Sequence, residues 1–474
     1  MTKSSGTINN SFANWFKKTF KPIFTSKSVL VSILITFLFV LFFHIGSRLT
    51  LPGIELPNNY QSSGSFEDML NLLSAGGFEH MSIFAIGLGP YITSQIIVQL
   101  LSSDLIPPLA KMAKAGERGR KKLEIVTRFL TLPFCFVQSY AIIALLLATR
   151  DGSSTGIKIF GATYLGGLAP DKIFCLMLLL TSGTYIAIFI GDMITKRGVG
   201  NGSSTLILVG IIGQIFSSFN NVYHKIGEKL QATNQVTITL SCILYTLFFI
   251  VLLIVIIFIN GATRKIPIQQ TGQGLIQTKN ELPFLPIKLN PSGVIPVIFA
   301  SSVVTIPGTI AQFLKDGQAK WFIQDWLNLD SWVGVVAYFL LIIMFSFFYS
   351  YIEINPPQIA ENFKKSGKFI PGVRMGKDTE LHITKVLSRI NWLGAPALAT
   401  IASVPYIVSI ASDIPSGMSL SGTGIIIIVT ASLELWSAIK SAATTSGYIT
   451  TKKHIESTHT TIDTTSWQKL EQLW

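Results

Sequence analysis

Ten stretches of this chain are each apolar enough to enter a lipid bilayer, and that recurrence limits its fold more than any other feature. A spanning helix needs about 20 mostly apolar residues. The candidates cover roughly 29–47, 82–101, 127–148, 172–191, 204–219, 236–260, 291–313, 332–353, 391–411 and 421–441. Only 13% of the 474 residues are charged, against about 25% in an ordinary soluble domain. Such a chain cannot cover a water-facing surface with charge, so lipid is its expected solvent. The first run starts near Val29 and lacks a small-residue cleavage site, so it reads as a true span rather than a cleavable signal.

Charge placement orients the spans. Lys and Arg number 37 and Asp and Glu 24, a net charge of +13. With the N-terminus cytoplasmic, the cytoplasmic connections hold 28 of the basic residues and the outer ones hold 6. That asymmetry follows the positive-inside rule and puts both termini in the cytoplasm. The expected organisation is a cytoplasmic segment 1–28, spans one to five over 29–219, spans six to ten over 220–441, and a cytoplasmic tail 442–474. Two basic cytoplasmic connections, 261–290 and 354–390, are long and rich in Pro and Gly. They read either as solvated loops or as ordered loops that project to meet an acidic partner, such as ribosomal RNA.

Three spans are irregular. The second, MSIFAIGLGPYITSQIIVQLL, puts Gly87, Gly89 and Pro90 beside Thr93, Ser94 and Gln95. The fifth is short, and the seventh carries Pro291, Pro296 and Pro307. Broken helices of this kind belong against protein or water, not against lipid alone. The outer segment 49–80 has no Lys or Arg and contains SGSFEDMLNLLSAGG. Ser65 suits an N-cap, Met69, Leu72 and Leu73 form an apolar face, and Gly76-Gly77 stops the helix. It is too short to span, so it lies at the interface or re-enters between spans.

No catalytic constellation emerges. GVGNG (198–202) lacks the Lys-Ser/Thr ending of a phosphate loop and reads as a tight, flexible turn. His454 and His459 do not share a helix face, and Cys135, Cys175 and Cys242 show no metal-ligand spacing. Carboxylates within spans are few, and Glu434 lies near the cytoplasmic end of the last one. No enzyme activity, cofactor or metal is expected. A secondary transporter or flippase with repeated halves is the alternative, and the scarcity of buried charge argues against it.

The order of these features resembles the SecY family, the central subunits of bacterial protein-conducting channels. RLTLPGI follows span one, SIFAIGLGPYITSQIIVQLL forms span two, and KAGERGRKKLEIVTRFLTL leads into span three. RGVGNGSS opens span five and LNPSGVIPVIFASS opens span seven. NPPQIAENFKKSGKFIPGVRMGK follows span eight, and LSRINWLGA enters span nine. The resemblance covers essentially the full chain. It implies an all-α polytopic fold of ten transmembrane helices in two pseudo-symmetric five-helix halves, closed like a clamshell.

By that resemblance an apolar pore ring falls at Leu88, Ile92, Ile207, Ile211, Ile298 and Ile427. A plug falls within 64–76, carrying Ser65, Phe66, Met69, Leu70, Leu72 and Leu73. A lateral gate between spans two and seven falls at Thr93, Gln138, Ser301 and Ser302. Docking residues fall at Arg264 and Lys265 in one loop and at Lys364, Lys365, Lys368, Arg374 and Lys377 in the other. Met375 stands where the family usually has Pro, which loosens the backbone locally. The implied partners are SecE and SecG, the SecA motor ATPase, the ribosome, signal peptides and nascent chains, and membrane lipid. The implied location is the cytoplasmic membrane.

Overall fold

In hydrocarbon the backbone must satisfy its own hydrogen bonds, so the apolar runs fold as helices. A computed structural model describes residues 26–55, 71, 74, 76–102, 106–147, 158–160, 169–215, 235–270, 283–301, 303–304, 331–412 and 423–445. In chain order the helices are α1 (Lys27–Gly46), α2 (Gly89–Leu100), α3 (Pro107–Lys114), α4 (Gly116–Leu147), α5 (Pro170–Arg197) and α6 (Gly202–Ile215). They continue with α7 (Gln235–Gly261), α8 (Trp332–Ile354), α9 (Pro356–Lys365), α10 (Lys377–Ser412) and α11 (Thr423–Thr445). Seven helical stretches among the described residues are long and apolar enough to cross a membrane. The other three expected spans are the irregular ones: α2, α6 and a helical run that starts at 295. Exposed Leu34, Phe37 and Leu38 on α1, and Leu244, Ile254 and Phe258 on α7, present apolar side chains outward. In water that would be a liability, whereas in lipid it is the expected surface.

Two compact units emerge from the contacts. The first comprises 1–45, 188–206 and 431–474. In it Val29 and Ala443 are buried together, with Ile33, Trp436 and Ile439 packed against them. The Val199 amide donates to the Thr36 hydroxyl at 3.0 Å, and the Gly202 amide donates to the Thr195 hydroxyl at 2.9 Å. The GVGNG turn is therefore held by side-chain hydroxyls at both ends. Thr36 explains this, because one buried hydroxyl supplies the acceptor that the tight turn lacks.

The second unit comprises 46–187 and 207–430. One of its cores gathers Leu51, Phe78, Met81, Ala85 and Ile86 around Ile142, Ile143, Leu146 and Leu147 of α4 and Leu176 and Leu180 of α5. Strand β1 (Ile54–Glu55) pairs antiparallel with β2 (Lys158–Ile159). A second core lies under the two basic connections. There β3 (Thr263–Pro267) pairs antiparallel with β5 (Phe284–Lys288), and β4 (Gln269–Gln270) pairs antiparallel with β6 (Lys368–Phe369). Inward Ile266, Ile287 and Ile370 meet Ile383, Val386, Leu387 and Ile390 on the first turns of α10. The described parts of the two connections, 261–270 with 283–290 and 354–390, share one apolar base.

Candidate functional site

Span two holds the first departure from regular helix. Residues 83–88 are turns, and helix begins only at Gly89. The break that Gly87, Gly89 and Pro90 announce in the sequence is a late helix start. Gly87 has φ +64°, a conformation that ends any helix reaching it from the N-terminal side. Pro90 then sits in the first turn of α2, where a missing N–H costs nothing. The turn segment is almost wholly buried, as irregular backbone in an apolar stretch must be. Its donors are used locally: the amides of Ala85 and Gly87 donate to the carbonyls of Ser82 and Phe84 at 2.9 and 2.8 Å. Thr50 bridges Ser82, and the Leu51 amide donates to the Met81 carbonyl at 2.9 Å. Gly183 of α5 makes room for this segment: a Cβ added there would lie 1.9 Å from the Ile83 carbonyl oxygen.

Five of the six expected ring positions are buried. Leu88, Ile207, Ile211, Ile298 and Ile427 are buried and Ile92 is half-buried. Leu88 caps α2, and its carbonyl accepts from the Ile92 amide at 3.0 Å, which puts the two side chains one turn apart. Ile207 and Ile211 occupy successive turns on one face of α6. Their apolar β-branched and γ-branched groups offer no hydrogen bond to anything beside them.

The polar residues of span two face different ways. Thr93 is half-buried and donates to the Gly89 carbonyl at 3.1 Å; Ser94 is fully buried and donates to the Pro90 carbonyl at 2.8 Å. Gln95 is exposed. Gln138, on α4, is half-buried. Ser301 is buried and donates to the Ile298 carbonyl at 2.8 Å. Ser302 lies outside the described residues, as do Ser65, Phe66, Met69, Leu70, Leu72 and Leu73.

Span seven is anchored at its start by a buried polar cluster that the sequence did not disclose. Asn290 donates from Nδ2 to the Gly293 carbonyl at 2.9 Å and lies 3.5 Å from Asn260 Oδ1 on α7. Asn260 donates to Thr430 on α11 at 3.3 Å, and Ser292 donates to Asn290 Oδ1 at 3.1 Å. Buried amides keep their hydrogen bonds in this way, and α7 and α11 become tied to one turn. Farther on, Phe299 packs edge-on against Phe345 of α8, ring centroids 4.5 Å apart.

The basic residues of the connections stand on the shared platform. Arg264 and Lys265 are exposed on β3, with the Lys265 ammonium 4.7 Å from the Phe284 ring centroid. Asn355 ends α8 in a left-handed conformation, φ +44°, and its side chain caps α9 by accepting from the Gln358 amide at 3.3 Å. Lys364 and Lys365 are exposed near the end of α9, where cations suit the helix dipole, and Lys365 pairs with Glu361 at 2.8 Å. Lys368 is half-buried in β6, and Lys377 is exposed at the start of α10. Arg374 is exposed on the turn between them, and its carbonyl accepts from the buried Thr379 hydroxyl at 2.8 Å. Met375 is exposed, so the residue after Arg374 packs against nothing that requires Pro.

A multi-pass membrane protein with two interrupted spans, an apolar interior and an ordered basic platform is of the channel class. Its fold matches a solved structure described as a protein-conducting channel, with a TM-score of 0.60 at 16% identity, over 87% of this chain and 92% of that one. It also matches Sec61 in the canine ribosome-channel complex, with a TM-score of 0.57 at 14% identity, over 87% and 92%. The SecY family profile matches residues 82–436. The SecY translocase subunit of Mycoplasmoides gallisepticum is 50% identical over 91% of this chain and 86% of its own length. That of Mycoplasma pneumoniae is 47% identical over 89% and 88%. The chain belongs to the SecY family.

Proposed function

We propose that the chain is the channel-forming subunit of a protein translocase, moving unfolded secretory polypeptides across the cytoplasmic membrane and releasing transmembrane segments sideways into lipid. The observation that carries this reading is the buried, irregular start of span two next to apolar Leu88 and Ile92, in a chain of a family whose named relatives are protein translocase subunits. Leu88, Ile92, Ile207, Ile211, Ile298 and Ile427 form the pore ring, and the burial of five of them, with Ile92 half-buried, supports this. A ring without hydrogen-bonding groups grips side chains of any kind and excludes water by dewetting when narrow. The halves 29–219 and 220–441 part around it. The segment 64–76 plugs it from outside.

Spans two and seven form the lateral gate, with Thr93, Gln138, Ser301 and Ser302 along its seam. A substrate segment leaves by partitioning, because about 20 apolar residues favour lipid while each Arg or Asp costs roughly 2.5–3.5 kcal/mol at mid-helix. The channel itself is passive. SecA or the translating ribosome drives it, docking on Arg264, Lys265, Lys364, Lys365, Lys368, Arg374 and Lys377, all exposed except the half-buried Lys368, a basic platform that suits a phosphate-rich or acidic surface. SecE and SecG complete the complex, and both termini lie in the cytoplasm. The small-solute transporter alternative finds no support among the relatives. Reconstitution in vesicles with SecE and SecA tests the reading: ATP-dependent protection of a secretory chain from external protease is expected, and solute uptake without protection would overturn it.

A further inference from the structure

The end of the segment before span two is tied at one residue, and one tie reaches across to α6. The Asn71 carbonyl accepts from the Gly76 amide at 2.9 Å, from the Ser74 hydroxyl at 3.2 Å and from Gln214 Nε2 at 2.9 Å. The Asn71 side chain is also engaged: Oδ1 accepts from the Glu79 amide at 3.3 Å, and Nδ2 donates to Glu79 Oε2 at 3.4 Å. Gly76 has φ +82°, the left-handed turn that brings its amide back to Asn71. A Cβ added at Gly76 would stand 3.4 Å from Gln214 Nε2, so the Gln214 amide lies directly against this turn.

Gln214 follows Ile207 by seven residues and Ile211 by three on α6. Seven residues make nearly two turns, so all three share a face, with Gln214 about 4.5 Å beyond Ile211 along the axis. The helix that carries two ring residues therefore also carries the donor that holds Asn71.

We propose that Gln214 is a latch: its amide holds Asn71 of the plug segment to the ring-bearing face of α6 and lets go when that helix moves. This rests on the channel reading and its plug, and adds the coupling between them. A neutral hydrogen bond has a modest net worth, which suits a contact that must break at each opening. Ring widening and plug release become one event, because a displacement of α6 shifts Ile207, Ile211 and Gln214 together.

The test is resting conductance of the reconstituted complex in planar bilayers, without substrate. Gln214→Met keeps the length and removes the donor, and should raise resting open probability by roughly 2- to 10-fold. Gln214→Lys keeps a donor of similar reach and should remain near wild type. Deleting residues 65–75 should raise conductance further. Equal leak in the Met and Lys variants, whether high or low, while the deletion leaks, would overturn the latch and leave the plug standing. A silent deletion would instead overturn the plug reading on which the latch depends.

Discussion

Gln269 pairs with Phe369, and through that short antiparallel contact the connection after α7 and the connection after α8 become one body. Neither pairing strand exceeds two residues, so the contact alone is weak. Its persistence comes from beneath, where Ile266, Ile287, Ile370 and Ile383 share a core. The two loops expected to meet partners thus move and present charge together.

Ile383 is fully buried in that core, although it belongs to α10 and to neither strand pair. Ile383→Asp leaves a carboxylate without a partner and should cost about 3–5 kcal/mol of local stability. Limited trypsin digestion of vesicles should then show faster cleavage after Lys265 and after Lys368 or Arg374 alike. Faster cleavage in 354–390 alone would show that the loops are independent.

Arg374 stands exposed between Gly372 and Gly376, both with positive φ, so its turn is set by backbone rather than by its own side chain. Arg374→Glu should reverse the surface charge without disturbing the fold. SecA-driven export into inverted vesicles should fall at least about tenfold, while the variant still inserts at wild-type levels; a charged contact of this kind is worth on the order of 1.5–3 kcal/mol. Normal export would remove Arg374 from the docking surface.

Gly183 lies against the Ile83 backbone, which leads into the turn at Gly87. Gly183→Ala puts a methyl 1.9 Å from a carbonyl oxygen that has little freedom to retreat. A loss of about 1–3 kcal/mol is expected, read as a lower unfolding midpoint in detergent, whereas Ser182→Ala at the exposed neighbour should be nearly neutral. An unchanged midpoint for Gly183→Ala would mean that the turn segment adjusts freely.

The spans were legible because hydropathy acts over long windows. The break in span two was legible as a break from Gly87, Gly89 and Pro90. Its form was not, since glycine and proline permit either a bent helix or a late start, and only the packing of 83–88 against α4 and α5 decides. The strand pairs of the basic connections escaped notice because Pro267 and Pro286 interrupt the alternation of Ile266 and Ile287 that marks a half-buried hairpin. Gln214 carried one signal, a lone amide seven residues after Ile207 in an apolar span. Nothing local announces that it reaches Asn71, 143 positions away.

The central claim is that a polypeptide passes through the apolar ring, to which span two contributes Ile92 and span seven Ile298. Site-specific photocrosslinking from Ile92 and from Ile298 to a secretory chain arrested in transit tests it most directly, with exposed Leu244 on α7 as the lipid-facing control. Adducts from both ring positions and none from Leu244 are predicted. Adducts absent from Ile92 and Ile298, or equal at all three, would contradict it.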